Sequence, residues 1–214
     1  MDSAWTFSRL ESFESCPKKF YHLTVARDIV EPPTEAIKWG HSVHTAFEDL
    51  IKDGTPLPDT MRHWDGIAKQ LLQLKGEKYT EQKMALTAAF LPAPWEDAWT
   101  RGIADLLVID GAVATVIDYK TGRRKPTDQL ALYAAYVFAA YPEVQTVKTA
   151  FIWLKEKKID REAFTREQLP QIWQSFLPRI RRLEIAYVKD VWAPKPSGLC
   201  RGWCPVKKCE HNKG

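Results

Sequence analysis

No stretch of this 214-residue chain reaches the roughly 18 consecutive apolar residues that a membrane-spanning helix needs. Its first residues, MDSAWTFSRLESFESC, lack a basic start followed by an apolar core, so no secretory leader is expected and the cytoplasm is the expected compartment. Internal repeats and low-complexity segments are missing. The GxxxxGK[ST] phosphate loop is missing too, which excludes a nucleotide-driven motor of that type. Cysteine is scarce, with four residues placed toward the two ends of the chain. Neither sign of charge dominates. Lys and Arg number 31 against 27 Asp and Glu, and the net charge of +4 fits a polyanionic partner without demanding one.

What remains is the composition of an ordinary globular protein, 45% hydrophobic and 27% charged, with nine tryptophans. The length suits one compact α/β domain over residues 1–214, with or without a small appendage. Ser8–Leu23 reads as a helix with Ser8 as N-cap and Glu11 in the capping-box position, broken at Cys16-Pro17. Ile37–Lys52 reads as a second helix from the spacing of Trp39, Val43, Phe47 and Leu50, and Ile67–Tyr79 as a third. Glu81–Leu86 alternates like a strand. Two more strands flank Asp110-Gly111, a good hairpin turn. Leu130–Tyr141 is an apolar, buried helix and Val147–Leu154 another strand. Thr165–Tyr187 is helical with a break expected at Pro178. The tail from Trp192 is extended.

The chemistry concentrates in RGIADLLVIDGAVATVIDYKTGRRKPTDQLALY, residues 101–133. Asp105 follows a glycine in one apolar run, and a second run delivers Asp118-Tyr119-Lys120. Hard divalent cations such as Mg²⁺ take carboxylate oxygens and keep several waters, so one or two acids can hold one. Lys120 shares a strand face with Asp118, where its ammonium can hold an attacking water and stabilise developing negative charge. An exposed hairpin would also contain such a triplet. The second helix places His44 and Glu48 one turn apart on one face, with Gly40 a turn earlier allowing close approach; a histidine there can equally be structural. Gln129 and Tyr133, one turn apart, are otherwise a buried polar pair. Arg123, Arg124 and Lys125 form either a solvated loop or a contact for a phosphate backbone.

These segments, in this order, resemble the RecB-type nucleases of the PD-(D/E)XK superfamily. Asp105 stands at the first acid, with Ala104 where the signature has Pro. Asp118-Tyr-Lys120-Thr-Gly122 resembles DYKTG, Gln129-Leu-Ala-Leu-Tyr133 resembles QxxxY, and Gly40-His-Ser-Val-His44-Thr-Ala-Phe-Glu48 resembles GxxxHxxxE. The resemblance spans residues 16 to 209. It implies a restriction-endonuclease-like core, a central mixed sheet flanked by helices. His44, Asp105, Asp118 and the Tyr119 carbonyl would ligate Mg²⁺ or Mn²⁺. Lys120 would orient or activate water. Gln129 and Tyr133 would position the lysine or touch the DNA backbone. Glu48 and Glu81 carry no firm role, and His41 lies outside the matching position. The implied activity is exonucleolytic cleavage of DNA, at single strands or free ends, in recombination, repair or phage replication in a bacterial or phage-infected cell. A helicase or recombination partner would supply any unwinding. A processing endonuclease and a non-catalytic DNA-binding module are the alternatives; intact Asp105, Asp118 and Lys120 argue against the second.

Cys16, Cys200, Cys204 and Cys209 read as a metal centre more readily than as two disulfides in a reducing compartment. Their spacing is unusual for a zinc ribbon, although zinc on the three C-terminal cysteines with Cys16 or His211 remains open. One distant cysteine plus a C-terminal trio resembles the iron–sulfur clasp of AddB-type and CRISPR-adaptation nucleases. That likeness implies a 4Fe–4S cluster joining residues 1–36 to residues 192–214.

Overall fold

The structure is a computed structural model that describes residues 4–213. The chain forms two compact units, Met1–Pro32 with Gln174–Gly214, and Pro33–Trp173.

The Pro33–Trp173 unit is built on a five-stranded mixed sheet in the order β1-β2-β3-β4-β5, comprising β1 (Glu77–Leu86), β2 (Thr100–Asp110), β3 (Val113–Lys120), β4 (Thr146–Trp153) and β5 (Lys158–Thr165). Only β3 and β4 run parallel, because α5 (Gln129–Ala140) carries the chain between them as a crossover; the other neighbours are antiparallel. Helices α3 (Glu35–Asp53) and α4 (Asp65–Leu72) cover one face, where Val43, Phe47, Leu50 and Leu71 pack with Leu106, Val108, Ile117, Tyr119 and Ile152. Thr34 caps α3 through Ile37 N–H, and Gly54 ends it in the left-handed conformation. On α5, residues from Leu130 to Phe138 are buried, as its apolar sequence requires. Gly102 lets α5 approach β2: a Cβ there would lie 2.9 Å from the Tyr136 ring, whose hydroxyl bonds Thr100 Oγ1 at 2.7 Å. Arg166, just after β5, donates to the Phe138, Tyr141 and Val144 carbonyls and so caps the end of α5.

The other unit folds the two chain ends together. Helices α1 (Phe7–Ser15) and α2 (Pro17–Phe20) meet at Cys16. Trp192 packs its ring against Phe13, Phe20, Tyr21 and Tyr187, with centroids 5.0–6.3 Å away. Glu14 takes a two-pronged pair from Arg179 at 2.7 and 2.8 Å. Among the described residues no helix is long and apolar enough to cross a membrane.

Four local expectations change. Thr6, not Ser8, caps α1, accepting from Arg9 N–H. The third helix stops at Leu72, because Gly76 takes φ +116° and the chain turns into β1 four residues earlier than its alternation suggested. Strand β5 was invisible because it is an outer strand of mostly exposed, charged residues. Pro178 does not break α6 (Leu169–Lys189), which continues through it. The break at Cys16-Pro17 is present.

Replacing Trp192 by Ala should cost about 3 kcal/mol, since it empties the aromatic box that returns the tail to α1 and α2. Urea unfolding followed by circular dichroism measures this; a midpoint equal to wild type would contradict the packing described.

Candidate active site

The site lies where the ladders on both sides of β2 are interrupted. β2 and β3 pair from Asp110↔Val113 to Leu106↔Ile117 and then part. The next step would oppose Asp105 and Asp118. Instead, the Tyr119 N–H donates to Asp105 Oδ2 at 2.6 Å. On the other side, β1 pairs Thr80↔Leu106 and Gln82↔Ala104 but omits Glu81, whose backbone sits at φ +47°. A left-handed glutamate inside a strand is strained, and such strain gathers at functional sites. Glu81, Asp105 and Asp118 therefore form a row of carboxylates across three strands.

Helix α3 adds His44. Its Nδ1 lies 3.2 Å from Asp105 Oδ1 and its Nε2 3.0 Å from the Tyr119 carbonyl. Donor atoms of His44, Glu81 and Asp105 all fall within 4.8 Å of one another, the one such group of His, Cys, Asp or Glu among the described residues. Gly40 places α3 against the loop after β3, with Thr121 Oγ1 3.4 Å from where a Cβ would stand. Glu48, one turn beyond His44, stays outside the group, and His41 is exposed.

Four side chains close a ring behind the row. Lys120 Nζ donates to Gln129 Oε1 at 3.2 Å, and Gln129 Nε2 donates to the Tyr133 hydroxyl at 3.1 Å. That hydroxyl donates to Asp118 Oδ1 at 2.6 Å, with the Ile103 carbonyl 3.0 Å away. Lys120 Nζ then lies 2.7 Å from Asp118 Oδ2. Lysine has only donors, so the glutamine amide must present its oxygen to Lys120 and its nitrogen to Tyr133. The Lys120 ammonium also sits 4.8 Å from the centre of the Phe151 ring, on the neighbouring parallel strand.

Burial pushes the Asp118 carboxyl up to about 6, and the Asp105 charge adds to the effect while Lys120 opposes it. Burial and then Asp105 raise Glu81 above the usual carboxylate range. The hydrogen bond to Asp105 raises His44 above its usual value, against a desolvation that lowers it. Burial keeps the Tyr133 phenol protonated, so it remains a donor.

This donor set fits a hard divalent cation: carboxylate oxygens, one backbone carbonyl and one imidazole converge on the same space. Asp118 Oδ2 is buried and, apart from the ion pair with the Lys120 ammonium at 2.7 Å, has no hydrogen-bond partner among the described residues. A cation answers the repulsion within the row and can take a remaining lone pair of that oxygen.

The loop cations behave differently from the row. The Arg124 guanidinium holds Asp160, with Nε 2.9 Å from either carboxylate oxygen, and the Arg124 backbone N–H donates to Glu156 Oε1 at 2.9 Å. Trp153 Nε1 donates to the same Asp160 at 2.7 Å. The charge of Arg124 is therefore matched within the protein, while Arg123 is exposed and Lys125 lines a small pocket with Pro126. Phe151 and Asp160 went unmarked in the sequence, since neither belongs to a short motif; both reach their partners through the register of β3, β4 and β5. Glu81 had only its position in an alternating run to mark it.

The chain belongs to the PD-(D/E)XK nuclease superfamily, which matches over residues 4–209. Among solved structures it is similar to a protein from Eubacterium rectale, provisionally named an exonuclease. That match has a TM-score of 0.58 at 12% identity and covers 99% of this chain and 87% of that one. A further likeness, to SSO0001, has a TM-score of 0.48 at 14% identity over 100% of this chain and 89% of the other. At such identities the likeness is one of fold. Comparison with curated protein sequences finds no significant relative.

The raised values of Asp118 and His44 set a pH dependence. Below about pH 6 both carry protons that an incoming cation must displace, so affinity should fall as pH drops through about 6. Calorimetric titration with Mn²⁺ should find proton release at pH 5.5 that shrinks by pH 8, with pH values chosen to bracket that range. Equal affinity at both would refute the cluster.

Proposed function

We propose that this protein is a divalent-metal-dependent deoxyribonuclease that acts as an exonuclease on single strands or free ends. The observation that supports the metal-dependent hydrolysis in this reading is the Lys120–Gln129–Tyr133–Asp118 ring, closed beside the His44, Glu81 and Asp105 donor group. His44, Asp105, Asp118 and the Tyr119 carbonyl would hold Mg²⁺ or Mn²⁺, with Glu81 as a further acid. The ion would neutralise phosphate oxygens and make a nearby water more acidic.

The chain's own groups divide the remaining work. Lys120 is fixed by Gln129 on one side and Asp118 on the other, so its ammonium holds an attacking water or the charge that develops on phosphorus oxygens. Tyr133 keeps Asp118 Oδ1 occupied, which leaves Oδ2 for the cation. Arg123 and Lys125 would meet the DNA backbone, with Arg124 holding their loop to β5. Exonuclease action, and work in recombination, repair or phage replication with an unwinding partner, follow from the RecB-type resemblance. The structural neighbour's exonuclease name agrees with this.

For the four cysteines we propose a 4Fe–4S cluster. All four are free and half-buried in one unit. Lys195 N–H lies 3.5 Å from Cys16 Sγ and Ser197 N–H 3.4 Å from Cys200 Sγ, the kind of donor that stabilises thiolates. One distant cysteine plus a C-terminal trio, rather than paired CxxC motifs, is what favours the cluster over zinc.

End-labelled DNA tests the nuclease. Wild type with Mn²⁺ or Mg²⁺ should degrade 5′- and 3′-labelled strands, whereas Asp118→Ala and Lys120→Ala should lose at least about a hundredfold in rate, the lysine variant still binding DNA. Equal degradation by wild type and Asp118→Ala would show the site to be wrong, and cleavage of circular single strands would favour the endonuclease. Protein purified without oxygen should be brown and contain iron and sulfide, and Cys16→Ala should lose both along with thermal stability. Stoichiometric zinc in a colourless sample would overturn the cluster.

A further inference from the structure

Trp203 stands apart from the other eight tryptophans. It is 80% exposed, in the turn between Cys200 and Cys204, and no ring, cation or hydrogen-bond partner is seen for it among the described residues. Burying such a ring is worth more than almost any other side chain can offer, and here its surface is open to a stacking ligand. The turn itself is fixed by its backbone. Gly202 adopts φ +85°, Arg201 N–H bonds the Gly198 carbonyl, and Lys213 N–H bonds the Cys200 carbonyl. Asn212 Nδ2 is 3.0 Å from the carbonyls of both Cys204 and Val206, tying the segment across itself. The ring is thus presented by a braced loop.

The segment that carries it is cationic. Between residues 195 and 213 stand Lys195, Arg201, Lys207, Lys208 and Lys213 against one acid, Glu210. Glu210 is already paired with Lys18. Arg201, Lys207 and Lys208 are exposed, with no acidic partner seen among the described residues. An open aromatic ring on a segment with exposed cations matches a single-stranded nucleic acid, whose bases stack on aromatic faces while its phosphates meet Lys and Arg. We propose that Trp203 is a stacking platform for a base of single-stranded DNA, with Arg201, Lys207 and Lys208 on the flanking phosphates. The choice of DNA as ligand rests on the nuclease reading; the ring, its exposure and its cations do not.

The test uses the full chain, purified without oxygen, and fluorescence anisotropy of labelled oligo(dT) in EDTA so that nothing is cut. Trp203→Ala should weaken binding about tenfold or more and Trp203→Phe should keep most of the affinity. On a labelled abasic strand, which has phosphates but no bases, wild type and Trp203→Ala should bind alike. Removing Lys207 and Lys208 together should lower the salt dependence on both strands. Unchanged oligo(dT) affinity in Trp203→Ala would overturn the platform, as would an equal loss on the abasic strand or failure of wild type to bind oligo(dT). Self-association of wild type that Trp203→Ala abolishes, with DNA binding intact, would assign the ring to a second copy of the chain instead. Mn²⁺-dependent cutting by wild type and Asp118→Ala, run alongside, judges the nuclease reading separately: base-dependent binding through Trp203 without any cutting would sink that reading and leave the platform standing.

Discussion

The hydrogen bond from Tyr119 N–H to Asp105 Oδ2 is the constraint on which the site depends. Strands that part inside a sheet strand their amides, and a buried amide without a partner costs about 1–3 kcal/mol. Asp105 supplies the partner from a side chain, so β2 and β3 can diverge at Asp105 and Asp118 with that amide satisfied. Divergence frees the Tyr119 carbonyl to face His44. It also turns Asp118 toward Tyr133 and Lys120 on the α5 side. A continuous ladder would have used those backbone groups and left no room for a cation.

The second constraint is charge. Three carboxylates in one row repel one another, and the raised values of Asp118 and Glu81 record burial compounded by that repulsion. Lys120 offsets part of it from within the ring, but it lies to one side of the row. Glu81 carries a further cost in its left-handed backbone. A fold that holds acids together against both desolvation and strain is poised for a divalent cation. The same arrangement explains why glutamine and tyrosine stand one turn apart on α5: they are the two links between the ammonium and the far oxygen of Asp118.

The unit made from the two chain ends has its own means of cohesion. Trp192 in its aromatic box and the Glu14–Arg179 pair join α1 and α2 to the C-terminal segment through side chains alone. The four thiols are therefore gathered into one unit by packing before any metal acts on them. The metal centre proposed there would add to an existing fold and brace the turn that carries Trp203.

Much of this is legible in the sequence. Apolar runs ahead of Asp105 and Asp118, the Asp110-Gly111 turn, and the spacing of His44, Gln129 and Tyr133 are local signals, set by strand and helix periodicity, and they marked the hairpin and its flanking helices. Edge strand β5 was not legible, since charged residues on an outer strand answer to solvent rather than to a core. Pro178 misled because its effect depends on what packs around the helix. Sequence by itself determined which residues could do the chemistry, because residue type and periodicity are properties of short segments. Only the tertiary structure decided that Glu81 joins the row, that Phe151 lies beneath Lys120 and that Arg124 is matched by Asp160. Those contacts are set by strand register between segments far apart in the chain, and no local pattern encodes register.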